Sequence, residues 1–425
     1  MRIVSIEHFI SKYRYIIRGG AFSLFSIINQ GAGFVLLILL ARYILPSDYG
    51  VLSMFNTFVQ LLTFWVAFSS GGYVSVSYFS ARDRCEFIRD FSSILVLGGA
   101  SILIMIFILS LARSWISDVL GLNYNFIGIG LFVCMTTFVH NMHLDLIRIQ
   151  ERTRRYGLFS CGCALGNFIL SLVLVIGYDC GWVGRVYANV IISCLFGILA
   201  LFFFYKQKLL TRVIEWTRLK RILCWGIPII PHLASNWIKQ GCDRIIINTH
   251  YTSEEVGLFS FALNLVSIIT MIGMGFNQVN SLETYKILGN MSYAADIKRE
   301  ILKKQRKNFM LIYVVCVCVV VITCVLGIPL VLPKYELSVY YFIPLSLYGL
   351  GVCVYLLYCN YLFYYNNTTH LMYITFSSSV LHLILSLLFT RLSLWLTAVI
   401  YVVTQMYIVI AIHYKAKQIL REKVV

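Results

Sequence analysis

Apolar stretches of about twenty residues recur from residue 19 to residue 413, parted by short polar breaks. A helix rises about 1.5 Å per residue, so some twenty residues cross a hydrocarbon core of about 30 Å. The pattern predicts spans over residues 19–41, 49–70, 91–112, 124–146, 157–178, 183–205, 226–249, 256–282, 309–332, 340–364, 371–390 and 393–413. This is an all-α polytopic membrane protein. None of the breaks is long enough for a separate soluble domain.

Charge gives the spans an orientation. With the N-terminus placed in the cytoplasm, 28 of the 35 Lys and Arg residues fall on cytoplasmic segments. The others are Arg42, Arg113, Arg185, Lys239, Arg244, Lys334 and Arg391. The positive-inside rule then sets twelve spans in a cytoplasmic membrane with both termini inside. A composition that is 60% hydrophobic and 12% charged excludes an ordinary soluble domain. The net charge of +17 sits beside the spans, where it favours an anionic leaflet rather than nucleic acid. The 13 Cys lie mostly within spans and lack zinc-site spacing, so they read as free buried thiols. The basic N-terminal segment reads as an amphipathic cytoplasmic lead-in rather than a cleaved signal. The two largest cytoplasmic breaks, 206–221 and 285–308, are either surface helices anchored by Trp216 or Tyr285, or plain topology signals.

The break at 206–225 divides the chain into two groups of six spans: a lobe over 1–205, a cytoplasmic linker and a lobe over 226–425. Gln30-Gly31 aligns with Gln240-Gly241, and Gly50-x-x-Ser53 with Gly257-x-x-Ser260. Acidic, turn-rich segments stand in both copies, Pro46-Ser47-Asp48 against Ser253-Glu254-Glu255. Six is even, so the halves keep one orientation. That predicts two six-helix bundles related by a pseudo-twofold along the membrane normal, with a binding site between them.

Charges inside the spans are the candidate chemistry. The seventh span carries Lys239, Asp243 and Arg244 near mid-depth. A charge there costs at least about 2.5–3.5 kcal/mol, so it should face a wet cavity or a partner. On a regular helix His232, Asn236, Lys239, Asp243 and His250 form one polar stripe. Lys239 and Asp243, four apart, are alternatively a structural ion pair, which leaves Arg244 uncompensated. Arginine's planar fork suits phosphate or carboxylate. Asn29 and Gln30 in the first span, Ser53, Asn56 and Gln60 in the second, and Ser260, Asn264 and Ser267 in the eighth add polar faces. The third, ninth and twelfth spans are apolar and face lipid. The candidate substrate-cavity residues are Asn29, Gln30, Asn56, Gln60, Asn236, Lys239 and Arg244, with Asp243 and Glu283 as candidates for ion coupling. Pro228 and Pro231 form a helix opening or a hinge. His140, His143 and Asp145 are a polar helix end or the beginnings of a metal site.

The stretches LLARYILPSDYGVLSMF (39–55 with its preceding leucines), IRIQERTRRYG (147–157) and WGIPIIPHLASNWIKQGCDRIIINTHYTSEEVGLFSFALNL (225–265) resemble the Wzx-type polysaccharide flippases of the multidrug/oligosaccharidyl-lipid/polysaccharide exporter superfamily. The shared features are Pro228/Pro231, Asp243-Arg244, and Glu254/Glu255 leading to Gly257. The end of the eighth span, 275–286, lacks the proline common there. The resemblance implies translocation of an undecaprenyl-pyrophosphate-linked O-antigen repeat unit by alternating access. It implies polymerase and chain-length proteins as partners, and H⁺ or Na⁺ as coupling ion. No cofactor is expected, and the absence of a P-loop Gly-Lys-Ser/Thr leaves an ion gradient as the energy source. The rivals are a multidrug exporter, which would favour an acidic cavity, and a membrane polymerase or glycosyltransferase, which would need a large outer loop or an acidic metal site.

Overall fold

The computed structural model describes residues 25, 28, 29, 31–227, 230, 234, 235, 237–290, 293–365 and 367–423. Among the described residues there is no strand. Ten helices among the described residues are long and apolar enough to cross a membrane. They match ten of the twelve predicted spans. The first and seventh predicted spans fall partly outside the described residues. What is described of the first is the helix Gly31–Tyr43 (α1).

The chain folds as two compact units, Met1–Ile44 with Phe55–Pro231, and Leu45–Met54 with His232–Val425. Helix α2 (Pro46–Trp65) opens on a proline at its first position, where the missing N–H costs nothing, with Asp48 in its first turn. It ends at a break, Val66–Gly72, where Ala67, Phe68 and Ser69 have φ of 50°, 49° and 57°. Three successive left-handed residues that are not glycine are held by their surroundings. The Ala67 N–H donates to Ser101 Oγ at 2.9 Å. Gly226 lies so close that a Cβ there would sit 2.4 Å from the Phe68 carbonyl oxygen.

The first unit continues through α3 (Tyr73–Ser80), α4 (Arg84–Leu111), α5 (Arg113–Leu120), α6 (Tyr124–Ile149), α7 (Thr153–Leu172), α8 (Gly181–Lys206) and α9 (Trp216–Gly226). Its core joins Phe87, Phe91 and Ile94 of α4 to Val139, Met142 and Leu146 of α6, Phe204 of α8, and Leu219 and Ile222 of α9. Most of the segment 206–225 is therefore built into this unit. Helix α9, in the segment left open between a surface helix and a topology signal, is amphipathic: Leu219 and Ile222 are buried, while Trp216, Lys220 and Arg221 are exposed. Ions fix it in place. Buried Asp90 accepts from Arg218 Nη1 at 3.1 Å, Arg221 Nη2 at 3.0 Å and Ser77 Oγ at 2.8 Å.

The second unit holds α10 (Asp243–His250), α11 (Ser253–Gly289), α12 (Ala295–Val331), α13 (Ser338–Tyr364), α14 (Thr368–Phe389) and α15 (Leu394–Lys423). Helix α11 starts with a capping box: Thr252 Oγ1 accepts from Glu255 N–H, and the Glu255 carboxylate accepts from Thr252 N–H. The acidic segment at 253–255 is thus the first turn of a helix. Of the two readings of 285–308, a separate surface helix does not form. Helices α11 and α12 extend into that break from either side, reaching Gly289 and Ala295.

The sequence repeat becomes a helix crossing inside the second unit. A Cβ on Gly50 would lie 1.8 Å from Ser253 O, and one on Gly257 would lie 1.8 Å from Pro46 O. Only glycine allows this approach at either position. The closeness lets Ser53 Oγ donate to Ser260 Oγ at 2.7 Å and Asn264 Nδ2 donate to Tyr49 Oη at 2.6 Å. The apolar third and ninth spans expose Leu103, Phe107 and Leu111 of α4, and Leu311, Leu326 and Leu330 of α12, as a lipid-facing surface requires. All 13 Cys are free.

Candidate functional site

The most unusual local feature is a buried polar network in the second unit, centred where a π-helical turn, Ile238–Cys242, leads into α10. A π turn hydrogen-bonds i to i+5 and so fits one extra residue. The regular 100° step behind the predicted stripe does not hold across it. Lys239 and Asp243 acquire different partners, and no Lys239–Asp243 ion pair forms among the described residues. His250, placed on the same stripe, is exposed at the end of α10.

Asp243 pairs with a residue from α14. Its Oδ2 lies 2.7 Å from His382 Nε2, and both side chains are 0% exposed. The other ring nitrogen, Nδ1, is 3.0 Å from Thr404 Oγ1 on α15. Thr404 Oγ1 also lies 2.8 Å from the Ile400 carbonyl. The Tyr401 ring stands edge-on to His382, 4.6 Å between centroids. One helix turn away, Lys239 Nζ donates to Ser378 Oγ at 3.0 Å, and Ser378 Oγ donates to Thr404 O at 2.9 Å. The Tyr401 hydroxyl donates to the Lys239 carbonyl, and Ser379 Oγ to Ser235 O at 2.9 Å. Arg244, expected to stand uncompensated, is buried and interacts electrostatically with Tyr401, Tyr49 and Asp243.

The chemistry of this cluster follows from counting protons. The Thr404 hydroxyl has one. If it donates to Ile400 O, its lone pairs accept from His382 Nδ1–H. If it turns to donate to Nδ1, the ring's only N–H is on Nε2 and donates to Asp243. A rotation of one hydroxyl therefore accommodates either hydrogen-bond pattern without an orphaned donor.

The remaining predicted residues are dispersed. Asn29 donates to Ser160 on α7 in the first unit. Gln30, Pro228, Pro231, His232 and Asn236 lie outside the described residues. Asn56 and Gln60 are exposed while Ser53 is buried, so the polar face predicted for that span is split. Glu283 is exposed near the end of α11. His140 and His143 are buried among Phe159, Phe196, Phe203 and Phe204. Asp145 pairs instead with Arg148 at 2.7 Å, and no group of three potential metal ligands occurs among the described residues. His382, Ser378, Tyr401 and Thr404 were not foreseen. The available signal was an ionisable residue, His382, in the middle of an apolar span.

The model of the family described as polysaccharide biosynthesis protein matches residues 18–280, more than half of the chain. The chain belongs to this family. Among curated proteins, "Lsg locus putative protein 1" of Haemophilus influenzae is 21% identical over 365 residues, covering 84% of this chain and 88% of that protein. An uncharacterised membrane protein of the same organism is 22% identical over 82% of this chain and 84% of its own length. Among solved structures, the lipid II flippase MurJ in an inward closed conformation superposes with a TM-score of 0.75 at 13% identity, covering 95% of this chain and 89% of that one. An inward-facing multidrug resistance MATE family transporter of the MOP superfamily gives 0.72 at 11% identity over 94% and 98%. This family member therefore has the fold of that superfamily.

Proposed function

We propose that the protein is a flippase for an undecaprenyl-pyrophosphate-linked O-antigen or related polysaccharide repeat unit. It works by alternating access in the cytoplasmic membrane, with both termini in the cytoplasm and a proton gradient as driving force. It makes and breaks no covalent bond and is not an enzyme. Family membership supports the polysaccharide pathway, and the likeness of fold to a lipid flippase supports translocation.

The observation that carries the energetic part is the buried Asp243–His382 pair. Na⁺ prefers a shell of oxygen ligands, whereas here an imidazole occupies one side of the carboxylate. That favours H⁺ over Na⁺. A proton carried at this site adds one positive charge beside Lys239 and Arg244. In this reading those two cations release their present contacts and meet the substrate's diphosphate in another conformer. Asn29, Gln30, Asn56, Gln60 and Asn236 offer hydrogen bonds in place of the sugars' hydration shell. Glu283 is a second, more accessible carboxylate for coupling, and polymerase and chain-length proteins are partners downstream.

The test is complementation of a flippase-deficient strain carrying defined repeat-unit genes, followed by transport in proteoliposomes. Wild type should restore surface polysaccharide, and Asp243→Asn and His382→Ala should not. Uptake should follow an imposed pH gradient. A failure of the wild type to complement, or transport that follows Na⁺ and ignores pH, overturns the proposal. Drug sensitivity on deletion with surface polysaccharide intact would instead make the protein a multidrug exporter.

A further inference from the structure

In the first unit, five elements meet around a cavity of about 530 Å³ at the end where the basic residues cluster. Tyr78 and Ala81 come from the end of α3, Asp83, Arg84 and Phe87 from the start of α4, Gln150 from the end of α6, Arg152 from the start of α7, and Gln207 and Leu209 from beyond α8. The volume is within the range of small-molecule sites. Its lining is divided by chemistry. Phe87 and Leu209 form a buried apolar floor, and Arg84 and Arg152 are exposed.

The polar groups have unequal commitments. Asp83 caps α4, accepting from Glu86 N–H at 2.7 Å through Oδ1, and its one negative charge stands against the two arginines of the lining. Arg84 Nη2 donates to Gln207 O at 3.0 Å. That bond uses one of the five guanidinium N–H donors and aims the fork across the cavity. Gln150 Oε1 is buried with no hydrogen-bond partner, an acceptor that costs stability unless something donates to it. Two forked cations and an apolar floor beside a membrane match an anionic lipid, with phosphate on the arginines and chain along Phe87 and Leu209; Gln150 Oε1, inaccessible from the cavity as it stands, turns towards the headgroup when the site fills.

We propose that this cavity binds the phosphate-bearing headgroup of a membrane lipid. The polar residues of the site are Arg84, Gln150 and Arg152. It is separate from the buried network of the second unit and does not depend on the transport reading. Both an anionic phospholipid and a polyprenyl diphosphate carry the required chemistry, and the test has an arm for each.

The full-length protein in detergent is titrated with phosphatidylglycerol and, separately, with undecaprenyl diphosphate, and bound lipid is counted by native mass spectrometry. The variants are Arg152→Gln, which leaves the Arg84–Gln207 contact intact, and Arg84→Gln/Arg152→Gln. Lys208→Gln/Lys220→Gln is the control for general surface charge. One basic side chain near an anionic lipid is worth about fivefold in affinity, so the double variant should bind about thirtyfold more weakly. Weakening towards phosphatidylglycerol identifies a phospholipid site, and weakening towards the diphosphate alone identifies a substrate docking site. Either result supports the assignment. Unchanged binding of both lipids, or an equal loss in the control variant, overturns it.

Discussion

Gly257→Ala adds a single methyl group, and the structure sets its cost. That carbon would lie 1.8 Å from Pro46 O, whereas a comfortable carbon–oxygen contact is about 3.3–3.6 Å. The helices must part by about 1.5 Å to admit it. Parting stretches the Ser53–Ser260 contact, now 2.7 Å, beyond hydrogen-bond range, and the Asn264–Tyr49 contact, now 2.6 Å, with it. Two hydrogen bonds at about 1 kcal/mol each and an overpacking term of about 1–3 kcal/mol give a total of about 3–5 kcal/mol. Gly50→Ala meets Ser253 O at the same distance and should cost a similar amount. Because both substitutions force open the same crossing, the double variant should lose much less than the two single losses combined. Ser53→Ala, which removes only the hydrogen bond, should cost about 1 kcal/mol. Denaturant unfolding in detergent micelles, followed by tryptophan fluorescence, measures all four. If Gly257→Ala unfolds within about 0.5 kcal/mol of wild type, or if the double variant is strictly additive, the crossing is not the constraint described.

The Asp243–His382 pair makes a second prediction: either residue changed to Ala leaves a buried partner alone and should cost about 3–5 kcal/mol, while the double variant recovers much of it; a double-mutant cycle with coupling below about 0.5 kcal/mol would refute the pairing. Arg218→Ala should loosen α9 by about 1.5–3 kcal/mol through the loss of its charged bond to Asp90, measured as faster hydrogen exchange over 216–226. Hydrogen bonds from Arg218, together with Arg218's charge and a further bond from Arg89, hold the Glu215 carboxyl below its ordinary value. Its folded-state pKa is lowered, so its support for α9 is present above the ordinary carboxylate value of about 4.5 and is lost as pH falls through the folded value. Trp216 fluorescence should therefore change on acidification below that value in wild type and remain flat in Glu215→Gln.

Much of the membrane architecture was legible because hydrophobic length is a local quantity. Ten predicted spans coincide with ten long apolar helices among the described residues. The short repeat was also legible, although its purpose was not: Gly50-x-x-Ser53 and Gly257-x-x-Ser260 match because they pack on each other. The segment 285–308 stayed open between two readings because polar composition does not distinguish a helix along a membrane from the ends of two helices rising out of it. Asp243 and Lys239 were picked out by the cost of burying charge, but the partner assigned to Asp243 was four residues away in sequence. The real partner, His382, is 139 residues away.

The sequence by itself determined that this chain crosses a membrane many times, because twenty apolar residues in a row have no other stable solvent, and it determined which span carries the buried charges. Only the tertiary structure decided what those charges do. A π turn at Ile238–Cys242 shifts the phase of the helix, and the packing of α14 and α15 brings His382 and Thr404 to Asp243. Apolar transfer energy accrues residue by residue along a chain, whereas a hydrogen bond needs two distant groups within about 3 Å of each other.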